Sequence, residues 1–529
     1  MKNILVLVLV VFASRCEAQT TFFKTYGSTN KEEGKCLALC ADNGFIIGAD
    51  ITLIPPAPDS SNILIVKTNS MGDTLWTRII NSGENDFCVK VIETSDLGYV
   101  VLANRVNSGN NSKIVLIRLN SSGVIQWQKT FLKGGYGFTG HSLIEKMQGG
   151  YLICGAKVDT SLDGILINTN PAGDTLWTKN YWQGTSAFII SFRDVTQLAD
   201  FSYVLLGVNN NINIYEPRML RIDTLGNLMY EHGYCYGFCL DDGFMTTFAK
   251  MRENNKYVIG GLGGVYQPTT SSFLLCVDSA FNIQWAQKVI MPFLEISNVV
   301  QMQDSGFIFL AEPYNQPIYH HCLMVKTNST GIVSWAKDFQ YGSVRSPQSL
   351  SLTSDNGIAF CGFFMDTIST HNKDLLLLKT DANGNIPCDG ITASIVNSAI
   401  SFNTYTNTYN ISSGLFMTAS TLNSQGGGIP YNNVCFTTSE SENYSELNSE
   451  LKIFPNPTDA SAVLIVNFFE KKNATLQLLD VNNKVLYEER VVRDKTTLTI
   501  SSFASGVYWY RIISDDGEFL GAGKLLVVH

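Results

Sequence analysis

Apolar residues occur in short runs, alternating or continuous, along most of this chain. One pattern of about fifty residues, with four such runs, returns seven times between Phe22 and Pro387. In the second repeat the four runs are VKVIET, GYVVLANR, KIVLIRLN and IQWQKTF. Runs rich in Val, Ile, Phe and Tyr are typical of β-strands, and the repeats lack helical periodicity. The pattern therefore predicts an all-β array of four-stranded units.

Two turn motifs recur at fixed places within the repeat. The first joins the first two strands and has the form Asp-x-Gly-aromatic, as in Asp42 to Phe45 and Asp96 to Tyr99. The second joins the last two strands and places Gly three positions after Asn or Asp, as in Asn69 to Gly72. We expect Asp or Asn to fix each turn through its side chain and Gly to adopt positive φ.

The fourth strand of the repeat opens with an aromatic residue. Its members are Trp76, Trp127, Trp177, Tyr230, Trp285 and Trp335. Such a ring can serve as a sugar platform, but recurrence in nearly every repeat favours packing between neighbouring units. The orphan segment FFKTY at Phe22 to Tyr26 aligns with this strand, although no repeat precedes it.

The final repeat lacks its last strand, and a matching strand lies at the start of the array. Such an arrangement is typical of repeats that close into a ring. We therefore predict a seven-bladed β-propeller over residues 20–390, with the N-terminal strand completing the final blade and leaving no open edge. These repeats resemble the delta-60 type and related propeller repeats of secreted bacterial proteins. The resemblance implies the fold and says little about activity, because propellers host binding, scaffolding and catalysis.

The connections between second and third strands, and between one repeat and the next, vary in length and are rich in aromatics. Variable loops on a rigid frame commonly carry binding. This predicts a contact surface for an unidentified protein or glycan. Its candidate residues are Tyr136, Phe138, Trp182, Tyr215, Tyr236, Tyr266, Tyr319 and Tyr341.

After Cys388 the repeat stops, and residues 391–446 are rich in Ser, Thr, Asn and Gly, which predicts a linker. Strand-like runs resume over residues 447–529, with turn residues between them, and predict a small β-sandwich. Four motifs in this tail are PNP at 455–457, DVNNK at 480–484, FASGVY at 503–508 and the closing GKLLVV at 523–528.

Those motifs resemble the type A C-terminal sorting domain of the type IX secretion system of Bacteroidetes. The resemblance implies that the translocon is a partner, that the protein reaches the cell surface or exterior through the periplasm, and that the tail is removed. It assigns the sorting signal to Pro455, Asn456, Pro457, Gly506, Tyr508 and Lys524. Asn483 stands where the family commonly has Gly, and a single Lys precedes the last apolar run.

The start of the chain predicts export as well. Lys2, an apolar stretch and a short polar segment over residues 1–18 are typical of a secretory signal, and the stretch is too short to span a bilayer. No later run predicts a transmembrane segment. Removal of the secretory signal leaves eleven cysteines. Most of them lie in apolar strands, which favours buried thiols, whereas Cys388 and Cys435 could form a disulfide.

The net charge of the chain and the spacing of its Cys and His residues argue against some classes of function. A formal charge of -9 argues against nucleic-acid binding, and no Cys or His spacing predicts a metal site or a cofactor. The leading hypothesis is a non-enzymatic binding module. The alternative is a secreted glycan hydrolase, because Thr353 to Phe360 weakly resembles an Asp-box and Asp241 with Asp242 could form a carboxylate pair.

Overall fold

The computed structural model describes most of the repeat region and parts of the tail. The described residues are 20–53, 60–107, 109, 111–133, 135–158, 163–182, 189–211, 214–236, 243–251, 256–263, 271–290, 294–313, 322–339, 343–365, 373–386, 391–392, 396–399, 402–405, 410–412, 416–419, 423–426, 431–437, 451–454, 461–466, 474–479, 485–491, 495–499, 501, 503–504, 506–514 and 519–527. All elements assigned within them are strands. The chain divides into two compact units, Met1–Glu440 and Ser441–His529.

The first strand and the seven repeats supply twenty-eight strands in chain order. They are β1 (Thr21–Tyr26), β2 (Lys31–Leu39), β3 (Phe45–Thr52), β4 (Ser61–Thr68), β5 (Thr74–Asn81), β6 (Asn85–Glu93), β7 (Tyr99–Val106), β8 (Ser112–Leu119), β9 (Ile125–Leu132), β10 (Gly137–Glu145), β11 (Tyr151–Val158), β12 (Gly164–Thr169), β13 (Thr175–Trp182), β14 (Ile189–Gln197), β15 (Tyr203–Asn211), β16 (Ile214–Ile222), β17 (Leu228–Tyr236), β18 (Gly243–Lys250), β19 (Tyr257–Gly263), β20 (Ser271–Val277), β21 (Ile283–Ile290), β22 (Leu294–Gln301), β23 (Phe307–Pro313), β24 (Cys322–Thr327), β25 (Val333–Phe339), β26 (Ser343–Leu352), β27 (Ile358–Met365) and β28 (Lys373–Thr380).

Each of the first six repeats forms one antiparallel sheet from its own four strands, beginning with β2-β3-β4-β5. The seventh repeat supplies only β26, β27 and β28, and β1 pairs with β28 as the fourth strand of that sheet. Phe22 lies opposite Lys379, and Tyr26 lies opposite Leu375. The described sheets thus give a propeller-like all-β arrangement.

Seven more strands follow in the segment for which the sequence predicted a linker. They are β29 (Ile391–Thr392), β30 (Val396–Ala399), β31 (Phe402–Tyr405), β32 (Asn410–Ser412), β33 (Phe416–Ala419), β34 (Asn423–Gly426) and β35 (Tyr431–Thr437). We call β29 to β35 the belt. The linker prediction is wrong for these strands, because polar residues can complete a sheet edge with backbone hydrogen bonds alone.

Each belt strand adds a fifth, outermost strand to one sheet. The belt visits the sheets in reverse chain order: β29 pairs with β25, β30 with β21, β31 with β17, β32 with β13, β33 with β9 and β34 with β5. The last strand, β35, pairs with β1, so β1 lies between β28 and β35. The belt therefore covers the outer edge of every described sheet in this unit.

Neighbouring sheets share their hydrophobic cores, and each core joins two successive repeats. One cluster combines Ile46 and Ile63 of the first repeat with Val101 and Val115 of the second. Another joins the two ends of the array, with Phe22 and Leu377 packed against Ile47 and Leu64. All of these side chains are fully buried, so the stabilising apolar contacts lie between sheets as well as within them.

The recurring aromatic of the fourth strand packs on a turn of the next sheet, as the sequence predicted. A β-carbon on Gly123 would lie 2.7 Å from Cζ3 of Trp76, and one on Gly173 would lie 2.7 Å from Trp127. The same contact joins Trp177 to Gly226, Trp285 to Gly331, Trp335 to Gly384 and Phe22 to Gly72. In the remaining pair Phe281 replaces the glycine and its ring lies 5.0 Å from that of Tyr230.

The two turn motifs use their residues differently from one another. In the second motif the glycine has positive φ as expected, for example +74° at Gly72. In the first motif the preceding residue takes that conformation, with φ of 61° at Asn43 and 64° at Leu97, so our prediction for this glycine is wrong. Gly44 is required for space instead, since a β-carbon there would lie 2.1 Å from the Thr68 carbonyl oxygen.

The C-terminal unit contains seven described strands in two sheets. They are β36 (Leu451–Phe454), β37 (Ser461–Val466), β38 (Ala474–Leu479), β39 (Val485–Val491), β40 (Lys495–Thr499), β41 (Gly506–Ser514) and β42 (Phe519–Val527). The sheets are ordered β36-β37-β40 and β39-β38-β41-β42. Leu498 of the first sheet is buried with Leu476 and Ile512 of the second, so the two sheets share one core.

We expect Gly123→Ala to lower the free energy of unfolding by about 3 kcal/mol, measured by chemical denaturation. The new methyl group is strained at φ +77° and also clashes with Trp76. Gly83→Ala is the matched control, because Gly83 has φ +82° but nothing within 4 Å of an added β-carbon. It should cost about 1 kcal/mol. Equal losses would mean that the aromatic contact contributes nothing.

Deletion of residues 391–437 should leave the outer edges of seven sheets unpaired. We expect this variant to aggregate, because unpaired strand edges associate with one another, and to unfold at a lower temperature than the full chain. The control is a chain that ends at Glu440, which keeps the belt and lacks the second unit. Size-exclusion chromatography and thermal unfolding report the difference, and a monomeric deletion variant with unchanged Tm would contradict the role of the belt.

Candidate binding surface

The two ends of each sheet differ in character. One end carries the turns between first and second and between third and fourth strands, which are nearly the same in every repeat. The other end carries the connections that vary from repeat to repeat. We call them the uniform end and the variable end.

Side chains at the uniform end are engaged in holding the fold. Asp42 accepts a hydrogen bond from Gly44 N and pairs with the buried Lys67 at 2.7 Å. Asp96 with Arg118, Asp200 with Arg221, Asp304 with Lys326 and Asp355 with Lys379 repeat this ion pair between the first turn and the third strand. The recurrence indicates a structural role for these carboxylates.

The Asp-box-like segment shares that structural role. Asp355 accepts hydrogen bonds from the Thr353 hydroxyl and from Gly357 N, and it pairs with Lys379 at 2.6 Å. These bonds lower the pKa of Asp355 more than burial raises it. The turn at Asp381 is likewise closed by its own carboxylate, which accepts from Asn383 N and Asn385 N at 2.8 Å.

Tyr136 is the predicted contact residue that the structure places most openly. It follows β9 at the variable end, is 42% exposed, and has Lys157 Nζ 4.2 Å from its ring centroid. Lys157 in turn lies 3.7 Å from Asp163. A cation held against an exposed phenol ring gives a surface that can contact both apolar and hydrogen-bonding groups.

The other predicted contact residues fall into three groups. Trp182 ends β13 and is half-buried, whereas Phe138 lies within β10 and is fully buried in a core cluster. A loop position for Phe138 is therefore wrong, since its ring fills the space between two sheets. Tyr215 lies in β16 and Tyr236 in β17, and their side chains lie outside the described residues. So do Tyr266, Tyr319, Tyr341 and the proposed carboxylates Asp241 and Asp242.

A charged cluster that the sequence did not predict lies toward the variable end of the first sheet. Lys35 Nζ lies 3.0 Å from Glu33 and 3.6 Å from Asp50, and Lys373 of the seventh repeat also pairs with Glu33. Asp50 accepts a hydrogen bond from Cys88 N of the second sheet at 2.7 Å. Charged residues inside apolar strands, as in KEEGKC and FIIGADIT, were the available signal.

Burial shifts the titration of this cluster. It raises the pKa of Asp50 to about 6, although Lys35 and the Cys88 amide oppose the shift. Burial also raises the pKa of Glu32, against hydrogen bonds from Ser28. For Glu33, the hydrogen bonds from Lys373 and Lys35 outweigh burial and lower the pKa. Carboxylates with shifted pKa values are candidate functional groups. Glu33 and Asp50, however, also bond to neighbouring sheets, through Lys373 and Cys88 N.

The first strands of three successive sheets are joined by another polar chain. Lys90 Nζ donates to the Ser142 hydroxyl at 2.8 Å, and that hydroxyl donates to Asp194 at 2.6 Å. Beside it, burial lowers the pKa of His141 to about 4, with Arg193 adding to the shift. This shift favours the neutral imidazole of His141 at physiological pH.

The described residues offer no metal centre and no membrane helix. Within the described ranges, no group of three or more His, Cys, Asp and Glu side chains could hold a metal ion. Among the same residues, no helix has the length and apolar character needed to cross a membrane.

The predicted sorting residues are only partly described. Gly506, Tyr508 and Lys524 lie in β41 and β42, while Pro455, Asn456 and Pro457 lie outside the described residues. The Tyr508 hydroxyl donates to the Ala504 carbonyl at 2.9 Å, and its ring packs edge-on against Phe503 at 5.2 Å. The FASGVY motif thus fixes the start of β41.

Asp50→Asn should change how stability depends on pH. Because the pKa of Asp50 is raised on folding, its contribution to stability is present below about pH 4 and is lost as pH rises through about 6. Replacing it removes this loss, so the variant should gain up to about 3 kcal/mol relative to the natural chain between pH 4 and 7. Denaturant titrations across this range measure the difference, and parallel pH profiles would contradict it.

Comparison with known proteins identifies the C-terminal unit. Residues 452–526 match the family described as the secretion system C-terminal sorting domain. Comparison with curated proteins found no match.

The solved structures that align with this chain share little sequence identity with it. An alpha-L-arabinanase of Penicillium chrysogenum, solved with arabinobiose, is 9% identical over 69% of this chain and 99% of that chain, with a TM-score of 0.37. The polysaccharide lyase Uly1 is 7% identical over 66% and 90%, with a TM-score of 0.41. Prolyl oligopeptidase B from Galerina marginata is 7% identical over 71% and 52%, with a TM-score of 0.40. Similarities of this size carry no conclusion about activity.

The matched residues include the FASGVY motif at 503–508 and the first four residues of the closing motif, Gly523 to Leu526. The C-terminal unit is therefore a sorting domain of the type IX secretion system, and it indicates export of the protein to the cell surface or the extracellular space.

Proposed function

We propose that the exported protein is a non-enzymatic binding module built on a seven-bladed β-propeller. The seven five-stranded sheets are its blades, and β1 closes the ring by completing the last blade. The seven inter-sheet aromatic contacts support closure, because the contact of Phe22 with Gly72 joins the last sheet to the first. The ligand is a protein or glycan outside the cell.

The observation that carries this proposal is the difference between the two ends of the sheets. At the uniform end, Asp, Asn and Gly are used for turn closure, ion pairs and packing. At the variable end the connections differ between repeats, and they include the exposed Tyr136 with Lys157 above its ring. Variation on a shared frame is typical of surfaces that acquire specificity without changing the fold.

The chemistry of this end suits contact with hydroxyl-rich or peptide surfaces. An aromatic ring stacks on the apolar face of a sugar or on a flat peptide group, and a nearby cation adds hydrogen bonding to acidic or carbonyl oxygens. Tyr136 lies in the connection that follows the fourth strand of the second sheet, and Trp182 ends the fourth strand of the third sheet. They are therefore the described residues on which we place the contact surface.

The hydrolase alternative receives no support from the described residues. Asp355 is held in a structural turn, and the buried Asp50 pairs with Lys35 and accepts a hydrogen bond from the backbone of the next sheet. Retaining and inverting glycosidases need two carboxyl groups at a defined separation around the bound sugar. Asp241 and Asp242 lie outside the described residues.

A binding screen tests the proposal directly. The exported protein is applied to a glycan array and to immobilised extracellular proteins, followed by titration with the ligand found. We expect Tyr136→Ala and Trp182→Ala each to weaken binding at least about tenfold, since each removes an aromatic contact. Leu176→Ala is the control, because Leu176 is 60% exposed near the uniform end.

Two outcomes would contradict the proposal. Equal affinity of the Tyr136→Ala and Trp182→Ala variants and the natural protein would remove the variable end as the contact surface. Release of new reducing ends from a bound glycan, measured over hours, would show turnover and support the hydrolase instead.

A further inference from the structure

Two buried thiols from neighbouring sheets touch each other. Cys36 lies in β2 of the first repeat and Cys88 in β6 of the second, 52 positions apart in sequence. Their sulfur atoms are 3.7 Å apart, and each residue is 5% exposed. These strands are the first strands of their sheets, so the contact lies where two repeats pack together.

The surroundings are shaped to hold this sulfur pair. Gly48 of β3 lies opposite Cys36 in the ladder, and a β-carbon there would come within 2.6 Å of the Cys36 sulfur and 2.5 Å of the Cys88 sulfur. Any larger residue would therefore displace one of the sulfurs. The backbone at Cys88 is fixed by its hydrogen bond to Asp50, which joins β6 of the second sheet to β3 of the first.

The compartment to which the protein is exported provides the oxidising conditions that a disulfide needs. The sorting domain directs it to the cell surface or the extracellular space. Exported proteins pass through and persist in oxidising surroundings, where thiol pairs at suitable distance convert to disulfides. The structural change required is a shortening of the sulfur–sulfur separation from 3.7 Å to a bond of about 2.05 Å.

We propose that Cys36 and Cys88 form a disulfide that links the first two sheets in the exported protein. The oxidant is the disulfide of an exported thiol–disulfide oxidoreductase. One cysteine thiolate attacks it to give a mixed disulfide, and the second thiolate then attacks the sulfur of the first cysteine. Two electrons pass to the oxidoreductase, its disulfide becomes two thiols, and the two cysteine protons are released to solvent and taken up by the leaving thiolates.

Burial decides when this reaction occurs. In the folded unit both thiols are enclosed by apolar side chains such as Ile65 and Val91, so a protein oxidant has no access. The bond therefore forms while the first two repeats are assembling, before their shared core closes. Once the core is complete, the same enclosure protects the bond from external reductants.

Peptide mapping of the exported full-length protein tests the assignment. The protein is collected from the native host, denatured in excess alkylating agent without reductant, and digested. We expect a cross-linked peptide pair containing Cys36 and Cys88, with the mass lowered by the two lost hydrogens. Cys154, another buried thiol, serves as the internal control and should be recovered in alkylated form.

Thermal unfolding tests whether the bond contributes to stability. A disulfide that closes a loop of this length constrains the unfolded chain, so reductant present throughout unfolding should lower the Tm of the natural protein by at least about 5 °C. Cys36→Ala and Cys88→Ala should each reduce this response to reductant, leaving only the part that a Cys388–Cys435 disulfide would contribute. Cys154→Ala should retain it, whatever its own effect on Tm.

Three results would overturn the assignment. The first is recovery of Cys36 and Cys88 as separately alkylated peptides from the exported protein. The second is a cross-link from Cys36 to Cys361, a buried thiol whose pKa is raised by burial and further by the nearby Cys36. The third is the same response to reductant in the natural protein and in Cys36→Ala.

Discussion

The structure of the N-terminal unit depends on one repeated contact, in which an aromatic ring of one sheet packs on a turn of the next. The glycine in that turn serves two purposes, because it adopts positive φ and leaves room for the ring. Neither purpose tolerates a side chain easily. The contact sets the spacing between neighbouring sheets, and the buried clusters between them follow from it. Seven copies, one of them with Phe281 in place of glycine, join each sheet to its neighbour.

The belt adds a second system of bonds, formed by a segment rich in Ser, Thr and Asn. Its strands are two to seven residues long and attach to the outer edges of the sheets through the backbone. Apolar packing therefore holds the sheets to one another, while backbone hydrogen bonds cover their edges. This separation explains why a segment rich in Ser, Thr and Asn can belong to the folded unit.

The sequence predicted the features that recur and missed those created by distant contacts. Strand positions, the packing role of Trp127 and the turn at Asn69 followed from local rules repeated many times. The belt could not be inferred, because its strands have no periodicity of their own and exist only where an edge is already present. Phe138 was misplaced because an aromatic next to glycines resembles a loop residue until the neighbouring sheet is known.

The charged cluster around Asp50 was missed for a similar reason. Glu33 and Lys373 are 340 positions apart, so their pairing depends on contact between the first and last repeats. The same holds for the meeting of Cys36 and Cys88, which are ordinary apolar-strand cysteines in sequence. The local sequence pattern predicts the strands and turns of such a protein. Which titrating and reactive side chains meet one another depends instead on which repeats become neighbours in the fold.

The position of β1 between β28 and β35 has a kinetic consequence. Thr21 lies opposite Thr437, so one sheet contains the first and the last described strands of this unit, β1 and β35. Contacts of such separation form slowly, because a long intervening chain must be organised before its ends can meet. The outer edges of the seven sheets stay uncovered until the belt strands pair with them. We therefore expect the pairing of these two distant strands, rather than the folding of any single repeat, to limit the rate at which this unit matures.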